Sequence, residues 1–66
     1  MKLNVSGILQ DFQNVTNLES LVAQLNVDAG GTAVAVNDRV IRRSLWSVQQ
    51  LIEGDRIEIV RAVQGG

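Results

Sequence analysis

The chain ends in two consecutive glycines, Gly65 and Gly66, and the α-carboxylate of Gly66 is the most distinctive reactive group in the sequence. Glycine has no Cβ, so a Gly-Gly end is thin and flexible enough to enter a slot too narrow for other residues. The same dipeptide also occurs at Gly30-Gly31, where we expect it to form only a loop. Its position at the free end therefore predicts a carboxylate that is delivered into a partner.

The rest of the chain has few groups that could carry out chemistry. It contains no Cys, so it offers no thiol nucleophile, disulfide or persulfide, and no His, the commonest general base and metal ligand. No Gly-rich phosphate loop followed by Lys occurs. The seven acidic residues have neither calcium-loop spacing nor the spacing of a catalytic pair. We therefore expect no enzyme activity and no bound cofactor or metal.

Size and charge restrict the class of protein further. The 66 residues allow one domain, and a 45% hydrophobic content is enough for one small core. Six Lys and Arg residues and a net charge of −1 argue against nucleic-acid binding. No apolar run approaches a membrane span, and residues 1–7 lack the apolar stretch of a signal peptide. We expect a cytoplasmic protein without a nucleic-acid or membrane partner.

The N-terminal half predicts a β-hairpin followed by a helix. Leu3 and Val5 alternate with polar residues as in a strand, Ser6-Gly7 is a turn signal, and Ile8 to Phe12 predicts the returning strand. A capping box from Thr16 to Glu19 predicts the start of the helix. Its apolar stripe, at i, i+3, i+4 and i+7, consists of Leu18, Leu21, Val22 and Leu25.

The C-terminal half predicts three more strands. Ala33–Val36 is apolar on both faces, as in an interior strand, and Asn37-Asp38 predicts a turn into a short return strand, Arg39 to Arg42. Ser44 to Ile52 is irregular or one helical turn. Gly54-Asp55 then turns the chain into a last strand in which Ile57 and Ile59 alternate with more polar residues.

This order predicts an α+β fold in which one main helix packs on one face of a mixed four- to five-stranded sheet. We expect a single domain over residues 1–62 and a flexible tail over residues 63–66 that ends in Gly-Gly.

The order of elements and the terminal Gly-Gly resemble the β-grasp, ubiquitin-like proteins of the ThiS/MoaD superfamily. The similarity covers the whole chain and is most specific over residues 51–66, LIEGDRIEIVRAVQGG, with further likeness from Ala35 to Ser44 and at Trp46. The molybdopterin branch shares Gly-Asp, the final strand and Gly-Gly, but its members tend to be longer, with Phe and Pro before Gly-Gly. This chain has no Pro and one distant Phe, so it is more similar to the ThiS family of thiamine biosynthesis.

The resemblance implies that the protein is a sulfur carrier. A ThiF-like adenylating enzyme would use MgATP to convert the Gly66 carboxylate to a glycyl adenylate. Sulfur that originates in a cysteine desulfurase system would displace AMP and leave a thiocarboxylate, 1-thioglycine. A ThiG-like thiazole synthase would then take the sulfur into the thiazole ring. A thiocarboxylate supplies reactive sulfur without a cysteine, which suits this composition.

The tail-insertion model also indicates partner contacts. Residues 63–66 extend at most about 13–14 Å, so the carboxylate can enter a partner while the body stays outside. Gly65 would allow the tail to enter the channel of the partner, and Gln64 would lie at the mouth of that channel. Arg61 and Val63 lead into the tail and, with Gln64, are candidates for partner contact.

Three arginines, Arg39, Arg42 and Arg43, form a basic cluster in the sequence. A solvated rim is the commoner role for such a cluster, and docking on an acidic partner surface is the functional alternative. We expect Trp46, the only Trp, to be a partly buried ring that closes one end of the core, and Gly54 to serve backbone geometry.

Three other functions stay open at this point. The carrier could serve molybdopterin synthesis or another sulfur-accepting pathway. It could be a ubiquitin-like modifier conjugated through Gly66, although its single lysine, Lys2, argues against chain-building on itself. It could also be an interaction module in which the tail plays no part.

Overall fold

The computed structural model describes residues 1–61, so the predicted domain end at residue 62 and the predicted tail, 63–66, lie outside the described residues. The described chain forms five strands and one α-helix in the predicted order. Their bounds are β1 Lys2–Val5, β2 Ile8–Asp11, α1 Leu18–Leu25, β3 Thr32–Val36, β4 Arg39–Ile41 and β5 Arg56–Arg61. Short 3₁₀ turns occur at Ala29–Gly31 and Arg43–Leu45.

The strands form one mixed sheet in the order β2-β1-β5-β3-β4. β5 lies in the middle, where it pairs parallel with β1 and antiparallel with β3. The hairpins β1–β2 and β3–β4 are antiparallel and complete the two sides of the sheet. The α+β prediction is therefore confirmed, with five strands rather than four.

Both hairpins turn through two residues with positive φ, as the dipeptides Ser6-Gly7 and Asn37-Asp38 predicted. Their φ angles are 51° and 83° in the first turn and 49° and 70° in the second. Left-handed residues at both central positions match the right-handed twist of the flanking strands. β2 ends at Asp11, one residue before the predicted end, and Phe12 turns into the core.

The helix starts one residue later than the capping box predicted. The N-cap is Asn17, whose side-chain oxygen accepts a hydrogen bond from the backbone N of Ser20 at 2.8 Å. Ser20 Oγ in turn accepts from the backbone N of Asn17 at 3.2 Å. Thr16 does not cap the helix because its carbonyl accepts from Leu51 N, which holds Thr16 in extended pairing with the 43–52 segment. The Thr16–Glu19 prediction was therefore wrong by one position.

The sheet is buried on its helix side only. In β3, Val34 and Val36 are buried while Ala33 is exposed, so the strand is apolar on both faces but covered only on the helix side. A two-layer domain has one helix layer, and the opposite face of the sheet meets solvent. The position of β3 inside the sheet, between β5 and β4, is confirmed.

The core lies between this face and the predicted apolar stripe of α1, in which Leu18 and Leu21 are fully buried. Trp46 closes the core with 4% exposure, so it is more deeply buried than the sequence indicated. The buried apolar side chains are Leu3, Val5, Phe12, Val15, Leu18, Leu21, Val22, Val34, Val36, Ile41, Trp46, Leu51 and Ile57. Within residues 1–61, no helix has the length and apolar character needed to cross a bilayer.

Candidate functional site

The root of the tail is the end of the central strand. β5 pairs with the whole of β3, from Val36 opposite Ile57 to Thr32 opposite Arg61. It pairs with β1 only at Arg56 and Ile57, because β1 ends at Val5 and turns into β2. Residues 58–61 therefore have a strand neighbour on the β3 side alone, and the chain leaves the sheet beside the start of β3.

The predicted site residues divide between this root and the chain beyond it. Arg61 is the last residue of β5, as expected for a residue that leads into the tail. Val63, Gln64, Gly65 and Gly66 lie outside the described residues. Their roles stay predictions.

The structure separates the three predicted arginines. Val34 pairs with both Ile41 of β4 and Ile59 of β5, so the end of β4 lies level with Ile59, two residues before the end of β5. Arg42 and Arg43 follow Ile41 and therefore lie at the same end of the sheet as the tail root. Arg39 begins β4 at the opposite end, opposite Val36.

All three arginine side chains are exposed, which agrees with a solvated rim. The ion pairs formed within residues 1–61 are Met1 N with Asp11 and Arg56 with Asp38, at 3.2 and 2.8 Å. Neither pair involves Arg42 or Arg43. Their guanidinium groups can therefore meet an incoming carboxylate without first leaving a partner in this part of the chain.

An apolar strip on the solvent face of the sheet adjoins the tail root. Directly paired residues point to the same face, so Val60, Ala33, Ala35 and Val40 share the face opposite the helix. Val60 and Val40 are 56% and 69% exposed. This surface was not predicted from the sequence, although Val60 alternates with Ile57 and Ile59 and therefore points to the opposite face of β5.

A network of hydrogen bonds surrounds the start of β5. Gly54 has a φ of +87°, and its N–H donates to the carbonyl of Lys2 at 2.7 Å, so its predicted backbone role is confirmed. Among residues 1–60, Asp55 is the one charged residue that is buried, with 7% exposure. Its two carboxylate oxygens accept from Asn37 Nδ2 and from the backbone N of Ile52, each at 2.9 Å.

The described body presents a groove beside the helix and no cluster of metal-ligating side chains. Within residues 1–61, no three His, Cys, Asp or Glu side chains lie together as metal ligands. An open groove of about 390 Å³ runs between α1 and the 43–46 segment, and two charged side chains, Glu19 and Arg43, line it together with Trp46 and apolar and amide groups. This arrangement provides surfaces for binding and a strand that leads to the tail.

Comparison with known proteins gives a consistent result. The ThiS family model matches residues 3–66, a range that includes both terminal glycines. A curated protein named thiazole synthase, from Paramagnetospirillum magneticum (strain ATCC 700264 / AMB-1), is 32% identical over 66 residues. The chain is covered completely by that match but spans only 20% of the length of the relative.

Two solved structures of thiamine biosynthesis protein from Geobacter metallireducens have the same fold. The crystal structure, of a protein called ThiS, has a TM-score of 0.88 and 26% identity, with complete coverage of both chains. The NMR solution structure has a TM-score of 0.80 and 25% identity, and the match covers all of this chain and 88% of the other.

Proposed function

The chain belongs to the ThiS family, and from this membership we propose that it is the sulfur carrier for thiazole formation in thiamine biosynthesis, with Gly66 as the modified residue. The observation that carries the proposal is the family match through Gly66 on a chain that has neither Cys nor His. The terminal carboxylate is then the group on which sulfur is carried. The protein acts as a co-substrate of partner enzymes and not as an enzyme.

The chemistry takes place in two steps on the Gly66 carboxyl carbon. A carboxylate oxygen attacks the α-phosphorus of MgATP in a ThiF-like partner, pyrophosphate leaves, and a glycyl adenylate forms. A thiol reductant releases the sulfur of a cysteine desulfurase persulfide as sulfide, which then attacks the carbonyl carbon and displaces AMP. The product is a thiocarboxylate whose sulfur is transferred to the thiazole. ATP and its metal are bound by the partner.

The position of the tail root supports this proposal. Arg61 ends the central strand, and five residues follow it. Five residues extend at most about 17–18 Å, which is enough to carry a carboxylate into a partner while the sheet stays outside. Gly65 and Gly66 lack Cβ atoms and fit a narrow channel. Val63 and Gln64 contact its entrance in this proposal.

The surface beside the root supports a docking role for two of the predicted arginines. Arg42 and Arg43 lie at the tail end of the sheet, and the strip that contains Val40 and Val60 adjoins them. An apolar patch with a cationic rim fits a partner surface that is apolar at its centre and acidic at its edge. We assign this docking role, with Arg61, to the encounter with the adenylating enzyme.

The acceptor of the sulfur is a ThiG-like thiazole synthase in this proposal. A curated protein of that name contains a region 32% identical to this chain, which amounts to 20% of its length. A carrier-like region within a chain named thiazole synthase supports a working relationship between the two. The family match favours this acceptor over the molybdopterin pathway.

Mass spectrometry of the intact protein tests the proposal. The chain is incubated with its cognate adenylating enzyme, MgATP and a sulfur donor, and we expect a mass increase equal to the replacement of one oxygen by sulfur, located at Gly66. Omission of ATP, deletion of Gly66 and addition of one residue after Gly66 should each abolish the increase. An unchanged mass in the complete mixture would contradict the sulfur-carrier proposal.

The acceptor is tested separately with the sulfur-loaded protein. Loss of the added sulfur mass on incubation with thiazole synthase and its substrates supports the thiamine pathway. Loss only with the large subunit of molybdopterin synthase would move the protein to the alternative pathway. Isopeptide-linked adducts through Gly66 in cell extracts would instead indicate a conjugated modifier.

A further inference from the structure

The apolar pattern of β5 does not by itself specify how far the strand is advanced along its neighbours. Ile57 and Ile59 both face the helix, Ile57 with 1% exposure and Ile59 partly buried. A slip by one residue would turn both side chains to solvent, but a slip by two residues keeps every side chain on its own face. A second register, in which Ile59 occupies the site of Ile57, therefore satisfies the alternation.

The two directions of such a slip differ in their cost. A slip toward the tail would bring the carboxylate of Asp55 to the site of Ile57, where an unpaired charge is strongly unfavourable. A slip toward the start of β5 would move Ile57 and Ile59 to the buried sites of Asp55 and Ile57. It would also bring Arg61 to the half-buried site of Ile59, where an aliphatic stem can lie along apolar surface. This permitted slip would draw the tail back by two residues, about 6–7 Å.

Side-chain contacts at the start of β5 distinguish the native register from this alternative. Asn37 Nδ2 donates to Asp55 Oδ1 at 2.9 Å, and the Arg56 guanidinium lies 2.8 Å from Asp38 Oδ2. In the slipped register, Ile57 would replace Asp55 opposite the Asn37 amide. Glu58 would replace Arg56 beside Asp38, so an attraction would become a repulsion between like charges.

Backbone hydrogen bonds at the start of β5 do not distinguish the native register from the slipped one. Asn37 N donates to the carbonyl of Arg56 at 2.8 Å, and Arg56 N donates to Asn37 Oδ1 at 2.9 Å. Any residue moved into this position would offer the same N–H and carbonyl. The register is therefore specified here by the side chains of Asp55 and Arg56.

We propose that Asn37, Asp38, Asp55 and Arg56 form a register clasp that sets the reach of the Gly66 carboxylate by holding β5 at one position along the sheet. These are positioning residues, since none of them lies in the tail. The effect on reach rests on the proposed sulfur-carrier function, whereas the effect on register is a property of the folded chain alone. The two parts are tested separately.

Disulfide trapping tests the register without any partner enzyme, and the absence of native Cys makes every disulfide an engineered one. Ala35 pairs with Glu58 on the solvent face, so Ala35→Cys with Glu58→Cys reports the native register. Ala35→Cys with Val60→Cys reports the slipped one. Paired residues in an antiparallel sheet have a Cα separation that a disulfide spans, of roughly 5.5 Å, whereas a residue two positions further along lies at about 7–8 Å.

Each reporter is equilibrated in a glutathione buffer and the closed fraction is measured by mass spectrometry. With the clasp intact, we expect only the 35/58 pair to close. With Asn37→Gly and Asp55→Ala together, we expect the equilibrium constant for closing the 35/60 pair to rise about tenfold or more, since a hydrogen bond to a charged group is lost. Glycine at position 37 keeps the positive φ of the turn.

Closure of the 35/58 pair alone in the clasp variant would overturn the proposal. If the double variant does not fold, Asn37→Gly alone carries the test, because it removes the side-chain contact and leaves Asp55 in place. An unchanged 35/60 closure in that variant would overturn the proposal equally. Asp55→Asn keeps one oxygen acceptor for Asn37 but sets its amide nitrogen against the N–H of Ile52, so it should raise 35/60 closure less than the double variant does.

Sulfur loading tests the consequence for reach. We expect the clasp variant to load at least about tenfold more slowly than the parent, and a duplication of Ala62-Val63 in its tail to restore loading. The same duplication in the parent should slow loading. A structural defect alone would not be rescued by a longer tail, so failure of that rescue contradicts the effect on reach. Failure of the parent to load would contradict the proposed function instead and leave the disulfide result standing.

Discussion

The indole N–H of Trp46 donates to the backbone carbonyl of Ile41 at 2.8 Å, inside the core. This bond ties the segment after β4 to the last residue of that strand. Trp46 is 4% exposed and Ile41 is 7% exposed, so neither hydrogen-bonding group has water as an alternative partner. The ring also closes the core beside Leu18 and Leu21 of the helix, which belong to the same buried cluster.

Replacement of Trp46 by Phe should destabilise the fold by about 2–3 kcal/mol. The change leaves the Ile41 carbonyl without its donor and removes part of a buried ring. Urea unfolding followed by far-UV circular dichroism measures the free energy of unfolding. Val48→Ala, at a residue 67% exposed, is the control and should change stability by no more than about 0.5 kcal/mol. Equal effects of the two substitutions would mean that the indole bond contributes nothing.

The helix cap provides a direct comparison between the position indicated by the sequence and the one found in the structure. Asn17→Ala should cost about 0.5–2 kcal/mol, because its side chain accepts from the Ser20 N–H at the start of α1. Thr16→Ala should cost less, since Thr16 contributes backbone contacts that alanine preserves. Thermal unfolding of the two variants checks this order. A larger loss for Thr16→Ala would support the original capping-box assignment.

Gly54 should resist substitution because of its backbone conformation. A Cβ there would meet no atom within 4 Å, but the φ of +87° is one that L-residues rarely adopt. Gly54→Ala should therefore cost about 1–2 kcal/mol. Gly30→Ala is the matched control, with an ordinary φ and a Cβ that would lie 3.4 Å from Asp28 Oδ1. Chemical denaturation of both variants measures the difference, and equal losses would contradict a role for φ.

The arginines at the tail end of the sheet should affect partner binding more than the one at the other end. Arg42→Glu with Arg43→Glu should raise the KM of the adenylating enzyme for the carrier by about tenfold or more at low salt, because two attractions become repulsions. The effect should diminish at high salt. Arg39→Glu, an exposed charge reversal at the start of β4, is the control and should change KM little. Equal effects of the two changes would indicate general charge attraction instead of docking at the tail root.

Much of the architecture could be predicted from local signals. The hairpin turns at Ser6-Gly7 and Asn37-Asp38 follow from residues that adopt positive φ, and the helix face follows from the spacing of Leu18, Leu21 and Val22. The alternation of Ile57 and Ile59 with polar residues predicted the last strand. These properties depend on near neighbours in the chain, so a single sequence is sufficient to indicate them.

Features that depend on contacts between distant segments could not be predicted in this way. The helix starts at Asn17 because the carbonyl of Thr16 is engaged by Leu51, a residue far away in the sequence. Ala33 is exposed because only one face of the sheet has a helix layer to cover it. Neither fact can be obtained from local propensity, since each depends on the packing of elements that are far apart in the chain.

The candidate site also has features that the sequence predicted and features that only the folded chain revealed. The Gly-Gly end, the missing Cys and His residues and the resemblance over residues 51–66 already indicated a carboxylate presented to a partner. Residue types and their order are sufficient for that conclusion. The separation of Arg39 from Arg42 and Arg43, the apolar strip beside the tail root and the contact between Asn37 and Asp55 required the folded chain. Strand pairing brings these residues together or apart, and pairing is set by long-range packing.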